Sequence, residues 1–280
     1  IMRFFLIILL SLLTISSSNS NEISSNISEF ISNLIPGEGD TEVSLDLREN
    51  NKPDYSILAV REINKKNNGN IFTQLSIFNT EKNNDDRIVG NIGIGKRFLS
   101  NDKTLMSGFN GFLDYDDAGN ARTSLGFETR TAVLELSYNQ YFGIGNAKDE
   151  KVLDGYNLRL ASQIPHLHWA DIFVTAYEWD GIDRDDIKGA KLGSQFLLTP
   201  NVNLELAYDD KNKKGLEDEW YANIEFIHPP RKGPSLTDGF ISSNTWKDER
   251  DMTGELLTKV ERNNKIMVEF KGTSTISRTD

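Results

Sequence analysis

The chain has 280 residues, with 31 Lys and Arg against 42 Asp and Glu, a formal charge of −11, and no cysteine. Without cysteine there is no disulfide framework, zinc finger, iron–sulfur cluster or thiol nucleophile, and the acidic balance argues against a nucleic-acid surface built on phosphate contacts. A mean hydropathy of −0.46 argues against a bundle of transmembrane helices, while 10% aromatic residues keep the chain out of the disordered class.

The first element is a targeting segment. Arg3 precedes an apolar run from Phe4 to Ile15, followed by Ser16, Ser17, Ser18, Asn19 and Ser20. The run is about a dozen residues, short of the ~20 that span a bilayer as a helix. Small residues follow it, as signal-peptide cleavage requires. Residues 1–20 therefore read as an export signal. Ile23, Ile27, Phe30, Ile31 and Leu34 then recur at helical spacing before Pro36 and Gly37, so 21–40 reads as a short periplasmic amphipathic helix and linker.

From residue 41 the period changes to two. Leu204, Leu206 and Tyr208 alternate with Asn203, Glu205 and Asp209; Tyr156, Leu158 and Leu160 alternate with Asn157 and Arg159. Such alternation predicts strands with one apolar and one polar face. Strands are expected over 41–48, 55–63, 70–79, 86–98, 104–115, 120–129, 131–142, 153–164, 169–179, 188–198, 201–209 and 218–227. Each is near the ~10 residues that a tilted strand needs to cross a bilayer. Gaps after odd strands tend to be longer and charged, and those after even strands tend to be short, as in membrane barrels. Phe112, Tyr115, Tyr141, Phe142, Trp169, Trp179, Tyr208 and Trp220 lie near strand ends and read as interfacial girdles. Alternation alone does not say which face is wet, and a soluble β-sandwich or lipocalin-like barrel has the same period. Export, strand length and loop parity favour the membrane. The expected fold is an all-β transmembrane antiparallel barrel of about twelve strands, over 41–227.

The period breaks at Pro229 and Pro230. Met252, Leu256, Leu257 and Val260 return to helical spacing, Asn263 and Asn264 end that helix, and 265–271 looks extended.

Three segments together resemble the β-domain of inverse autotransporters, the intimin and invasin group. One holds Ile71-Phe72-Thr73-Gln74-Leu75-Ser76-Ile77 and Asn91-Ile92-Gly93-Ile94-Gly95-Lys96-Arg97. Another holds Gly108-Phe109-Asn110-Gly111-Phe112-Leu113-Asp114-Tyr115-Asp116, then Leu125-Gly126-Phe127-Glu128. The third is Val260-Glu261-Arg262-Asn263-Asn264-Lys265-Ile266-Met267-Val268-Glu269-Phe270-Lys271. The resemblance spans roughly 23–272. It implies a twelve-stranded outer-membrane barrel whose C-terminal segment, here within 228–280, turns back through the lumen and leads outside the cell. It also implies the barrel assembly machinery and periplasmic chaperones as partners, beside outer-membrane lipid. His168 stands where the family more often has proline in that turn. The sequence stops at Asp280, soon after Lys271, so no passenger domain is expected within it and adhesion to a receptor gains no support.

Chemical constellations are sparse. His166 and His168 are two apart but sit in an expected tight turn without a third ligand, so they read as polar turn residues. Asp114, Asp116 and Asp117 near Gly119 lack the distal Glu of a calcium loop and read as a solvated extracellular turn. Gly90, Gly93 and Gly95 lie on a strand and are expected to make room for something in the lumen. No catalytic, metal-ligating or cofactor-binding residue is expected.

The polar face is more informative. Arg97, Arg122, Glu128, Glu135, Arg159 and Glu205 are expected to face the lumen, and Arg262, Asn263, Asn264, Lys265 and Glu269 to lie on the threading segment. Arg262, Lys265 and Glu269 are expected to meet opposite charges among Glu128, Glu135, Glu205 and Arg159. Leu134, Leu136, Leu158, Leu204, Leu206 and Ile224 are expected to contact lipid. The reading is a non-enzymatic outer-membrane anchor and translocator, with loops exposed at the surface of a Gram-negative-type cell. The alternative is a stand-alone pore, plugged or open, without passenger export.

Overall fold

A computed structural model describes residues 36–49, 52–82, 85–212, 218–247 and 251–270. The expected signal segment and the helix over Ile23 to Leu34 lie outside them. Twelve strands form the wall: β1 (Thr41–Arg48), β2 (Asp54–Lys66), β3 (Gly69–Lys82), β4 (Asp85–Leu99), β5 (Met106–Asp116), β6 (Ala121–Arg130), β7 (Leu134–Gly145), β9 (Gly155–Ile164), β10 (Leu167–Trp179), β11 (Ile187–Thr199), β12 (Val202–Lys211) and β13 (Glu219–His228). Each pairs antiparallel with its sequence neighbours, and β1 closes the ring against β13, with Val43 opposite Phe226. Two short strands, β8 (Glu150–Val152) and β14 (Val268–Phe270), form a separate pair. The rim where β1 begins is the near rim, and the rim where it ends is the far rim.

Alternation decides the two faces. Along β5 the even positions from Met106 to Asp116 point inward, and Phe109, Leu113 and Tyr115 point outward, 60%, 46% and 56% exposed. On β4, Ile88, Ile92 and Ile94 are outward and more than half exposed. Arg97, Arg122, Asp114 and Glu128, by contrast, are buried inside. A soluble barrel has the opposite arrangement, apolar within and polar without. The closed ring also leaves no sheet edge to hydrogen-bond in lipid.

Several expectations change in detail. Leu134 and Leu158 are exposed on the outer face, but Leu204 is only 5% exposed, lying in register between Phe196 and Ile224. Phe112, Tyr141 and Trp179 are not girdle residues; they are buried inside the barrel, whereas Tyr115, Phe142 and Trp220 do face outward. The expected helix over 252–260 is only a 3-10 turn, Met252–Glu255, begun by Asp251, whose carboxylate accepts from Thr253 N at 2.8 Å. Glu150–Val152, expected as loop, is a strand. Only His166 lies in the tight turn; His168 is on β10.

Gly93 and Gly95 face inward between the outward Ile92 and Ile94, and a Cβ at either would fall 2.3 Å from the ring of Phe112 or Phe72. They make room for wall aromatics, which in turn support the chain inside. Gly90 has open space around it.

Candidate functional site: a segment held inside the barrel

The segment from Met252 to Phe270 runs from the near rim to the far rim within the ring of strands. At the near rim, Met252 N donates to Lys103 O at 2.8 Å, and Met252 and Leu256 pack with Leu99 and Met106. Arg97 grips Glu128 with two hydrogen bonds, 2.7 and 3.1 Å, and turns its remaining nitrogen to the carbonyls of Glu255, Leu256 and Thr258 at 3.2, 2.9 and 2.7 Å. Arg130 donates to Glu128 at 3.0 Å, Thr258 Oγ1 at 2.8 Å and Lys259 O at 2.8 Å. The arginine planes suit this work, since one guanidinium serves a carboxylate and several carbonyls at once.

At mid-depth, Val260 N donates to Gln74 Oε1 at 2.8 Å, and Val260 packs with Leu58, Val60, Phe72 and Phe112. Lys259 pairs with Glu225 and, at 3.3 Å, with Glu42. Glu261 lies 3.9 Å from Arg159, and its carbonyl accepts from Asn139 at 2.9 Å.

Above this sits the most charged part of the interior. Arg262 donates to both oxygens of Asp114, at 2.9 and 2.7 Å, and Arg122 pairs with the same carboxylate at 2.8 Å. Both guanidiniums lie over aromatic rings: Arg262 is 4.2 Å from the centroid of Phe112, and Arg122 is 4.4 Å from that of Tyr141. Cation–π contact adds to the single carboxylate in holding two cations. Arg122 also donates to Asn263 O at 2.8 Å, Asn263 N donates to Tyr141 Oη at 2.7 Å, and Asn91 donates to Asn264 O at 3.2 Å.

Toward the far rim Lys265 donates to Asp54 at 2.6 Å. Ile266 and Val268 pack with Phe78, Val89 and Val152. Glu269 accepts from the backbone N–H groups of Ile182 and Asp183, both at 3.0 Å, and β14 pairs with β8.

Before β14, the physical logic is that of an extended chain without a sheet partner. Buried backbone groups need hydrogen-bond partners. Here wall side chains supply them: Asn70, Arg97 and Arg130 low down, Gln74 and Asn139 in the middle, Arg122 and Asn91 above. The segment leans on the β2–β7 side. Beside it, toward β9–β13, lies a polar cavity of about 290 Å³ lined by residues such as Arg159, Tyr177, Lys191, Glu205 and Tyr221.

The six wall residues named from sequence do not all meet the segment. Arg97 and Arg122 bind its backbone, and Arg159 nears Glu261. Glu128 acts through Arg97 and Arg130. Glu135 lies 3.5 Å from Arg130. Glu205 accepts from Tyr221 and Gln195, both at 2.6 Å, on the cavity side. The expected ion pairs are corrected: Arg262 meets Asp114, Lys265 meets Asp54, and Glu269 meets backbone N–H groups. Asp114 and Asp116 are likewise no solvated turn. Both are fully buried, Asp116 accepting from Asn120 at 2.9 Å. Arg130, Gln74, Asn139 and Lys259 also hold the segment and are not among the residues expected from sequence to do so. For Asp114 the signal existed, because it shares the inward parity of Asn110 and Phe112. His166 and His168 meet backbone carbonyls, Ser242 O at 3.1 Å and Asn244 O at 3.0 Å.

Known proteins of the same kind fit this geometry. Residues 11–264 match the family model described as inverse autotransporter, beta-domain. An intimin of Escherichia coli O111:H- is 25% identical over 207 residues, covering 67% of this chain and 21% of that protein. An invasin of Yersinia enterocolitica is 28% identical over 227 residues, covering 73% of this chain and 25% of that protein. The chain thus spans about a fifth to a quarter of the length of these relatives. A solved chain from work on the in-meso crystallization of membrane proteins superposes with a TM-score of 0.65 at 21% identity, covering 83% of this chain and 99% of that one. With a closed twelve-stranded wall, an apolar outer face and a match over most of its length, the chain is an outer-membrane barrel and belongs to the inverse autotransporter β-domain family.

Proposed function

We propose that this barrel anchors and translocates an intimin- or invasin-like inverse autotransporter, carrying its C-terminal segment outward to the cell surface without enzymatic chemistry. The observation that carries the reading is the course of residues 252–270, tied to the wall at every depth between the two rims. An even number of strands returns the chain to the rim where it began. A segment that is to leave on the opposite side must then pass back through the ring, and about 19 residues, mostly extended at ~3.3 Å each, exceed the ~30 Å apolar core. In this reading residues 1–20 direct export, 21–40 lie in the periplasm, 41–227 form the anchor and 228–280 are the threading linker. Periplasmic chaperones and the barrel assembly machinery would deliver and insert it.

The test is an epitope tag fused after Asp280 in cells that make the protein. Antibody should label intact cells. Labelling only after the outer membrane is opened would contradict export and favour a plugged pore.

A further inference from the structure

Between β13 and the lumen segment the chain takes a detour. Instead of turning directly into the barrel mouth, it crosses to the ends of β9, β10 and β11 at the near rim. There it is pinned to the turn between β9 and β10. His166 N donates to Thr245 O and Ser242 N to His166 O, both at 2.8 Å. The ring nitrogens of His166 and His168 lie 3.1 and 3.0 Å from Ser242 O and Asn244 O. Trp169 Nε1 donates to Phe240 O at 2.9 Å.

This loop packs against Trp169, at the near-rim start of β10. Trp169 packs in tilted contact with Phe196 and with Phe240, with centroids 5.8 and 5.6 Å apart. Phe196 is opposite Leu204 in register, on the face opposite Glu205, so it belongs to the outer face of the wall. The 3-10 turn Leu236–Asp238 is closed by Asp238, whose carboxylate accepts from Ser235 N and Oγ, both at 2.8 Å. That turns the charge of Asp238 back on the loop. Phe240, Ile241 and Trp246 remain 61%, 70% and 45% exposed.

We propose that residues 235–247 are a lipid-docking loop, with Phe240, Ile241 and Trp246 seated at the headgroup–acyl boundary of the phospholipid around the near rim. The argument is continuity. The Phe240 ring extends, through Trp169 and Phe196, an outer face that lipid already covers, and large aromatic side chains favour that boundary. A pinned apolar patch left in water marks an interaction site. The loop would then fix the segment's entrance to the membrane plane as well as to the barrel mouth. The inference is independent of the direction of export, because it concerns lipid contact at this rim alone.

The absence of native cysteine makes the test direct. Single cysteines replace Phe240, Ile241, Ser243 and, as a mid-membrane reference, Ile92. Each is labelled with an environment-sensitive fluorophore on the full chain folded into phosphatidylcholine vesicles, with heat-modifiable migration certifying the fold. Labels at 240 and 241 should emit at shorter wavelength than the label at 243. Shallow doxyl-labelled phosphatidylcholine should quench them at least twofold more than it quenches 243, and deep doxyl lipid should quench 92 most. Equal quenching at 240, 241 and 243 would overturn the proposal. So would spin–spin coupling between nitroxides at 240 of two copies, which would assign the patch to a second chain. Ile241→Cys reads the same surface should Phe240→Cys fail to fold.

Discussion

Asp114 holds two arginines at once, since Arg122 and Arg262 both depend on it at full burial. Removing one partner of a buried pair costs about 3–5 kcal/mol, because the remaining charge stays uncompensated. Asp114→Asn should therefore lower the folded-state stability by that order, read as a shift in the urea midpoint of the heat-modifiable band. Glu205→Gln should cost at most about 1 kcal/mol in the same assay. Its hydrogen-bond partners, Tyr221 and Gln195, are uncharged; the new amide oxygen still accepts from one of them, and its N–H2 group can donate to the other's oxygen once that hydroxyl or amide turns. Equal effects would mean that the charges at Asp114 do not matter. Tyr141 shares the parity of Glu135 and Asn139, so the alternation that placed Glu135 inside also placed Tyr141 there; the girdle reading of Tyr141 broke that rule. The partners of Arg262 and Lys265 were not legible. Which wall residue they meet depends on how high the segment rides, and strand periodicity holds no information about that.

Strands and their order were the most legible features, because period two is imposed on each by having lipid on one side and a polar interior on the other. The expected edges shift where a side chain ends the ladder. β7 begins at Leu134 rather than 131 because Thr131 folds the turn, its hydroxyl accepting from Leu134 N at 3.0 Å and its backbone N–H donating to Leu134 O at 2.8 Å. β8 is not legible in the sequence because three residues show no period, and its partner β14 lies more than a hundred residues away. The outer face gives a prediction of its own. Ile92 lies at the middle of β4, between Leu75 and Leu113 in register and 53% exposed. Ile92→Arg should cost about 2–4 kcal/mol, the mid-depth penalty of a cation facing lipid, seen as reduced folding yield into vesicles. Unchanged yield would mean that Ile92 does not face the acyl chains.

For the whole molecule, the segment leaves a polar cavity on the β9–β13 side, so the intact protein should conduct weakly in planar bilayers. A chain ending after Pro234 should conduct several-fold more, and equal conductance would argue that the segment does not fill the barrel. The central claim, passage from one rim to the other, has a sharper test in the β8–β14 pair. Val152 and Val268 are opposite each other and packed in one buried cluster, while Leu153 N donates to Met267 O at 2.9 Å. They thus form a non-hydrogen-bonded pair, whose Cα atoms approach to roughly 4.5 Å, within the reach of a disulfide. The measurement is disulfide formation by Val152→Cys with Val268→Cys in intact cells, read after unfolding by the mass added with a polymer-linked maleimide. Threading predicts an intramolecular bond, with neither thiol labelled until reduction. Two free thiols in a correctly folded barrel would leave the segment at the near rim and contradict the account.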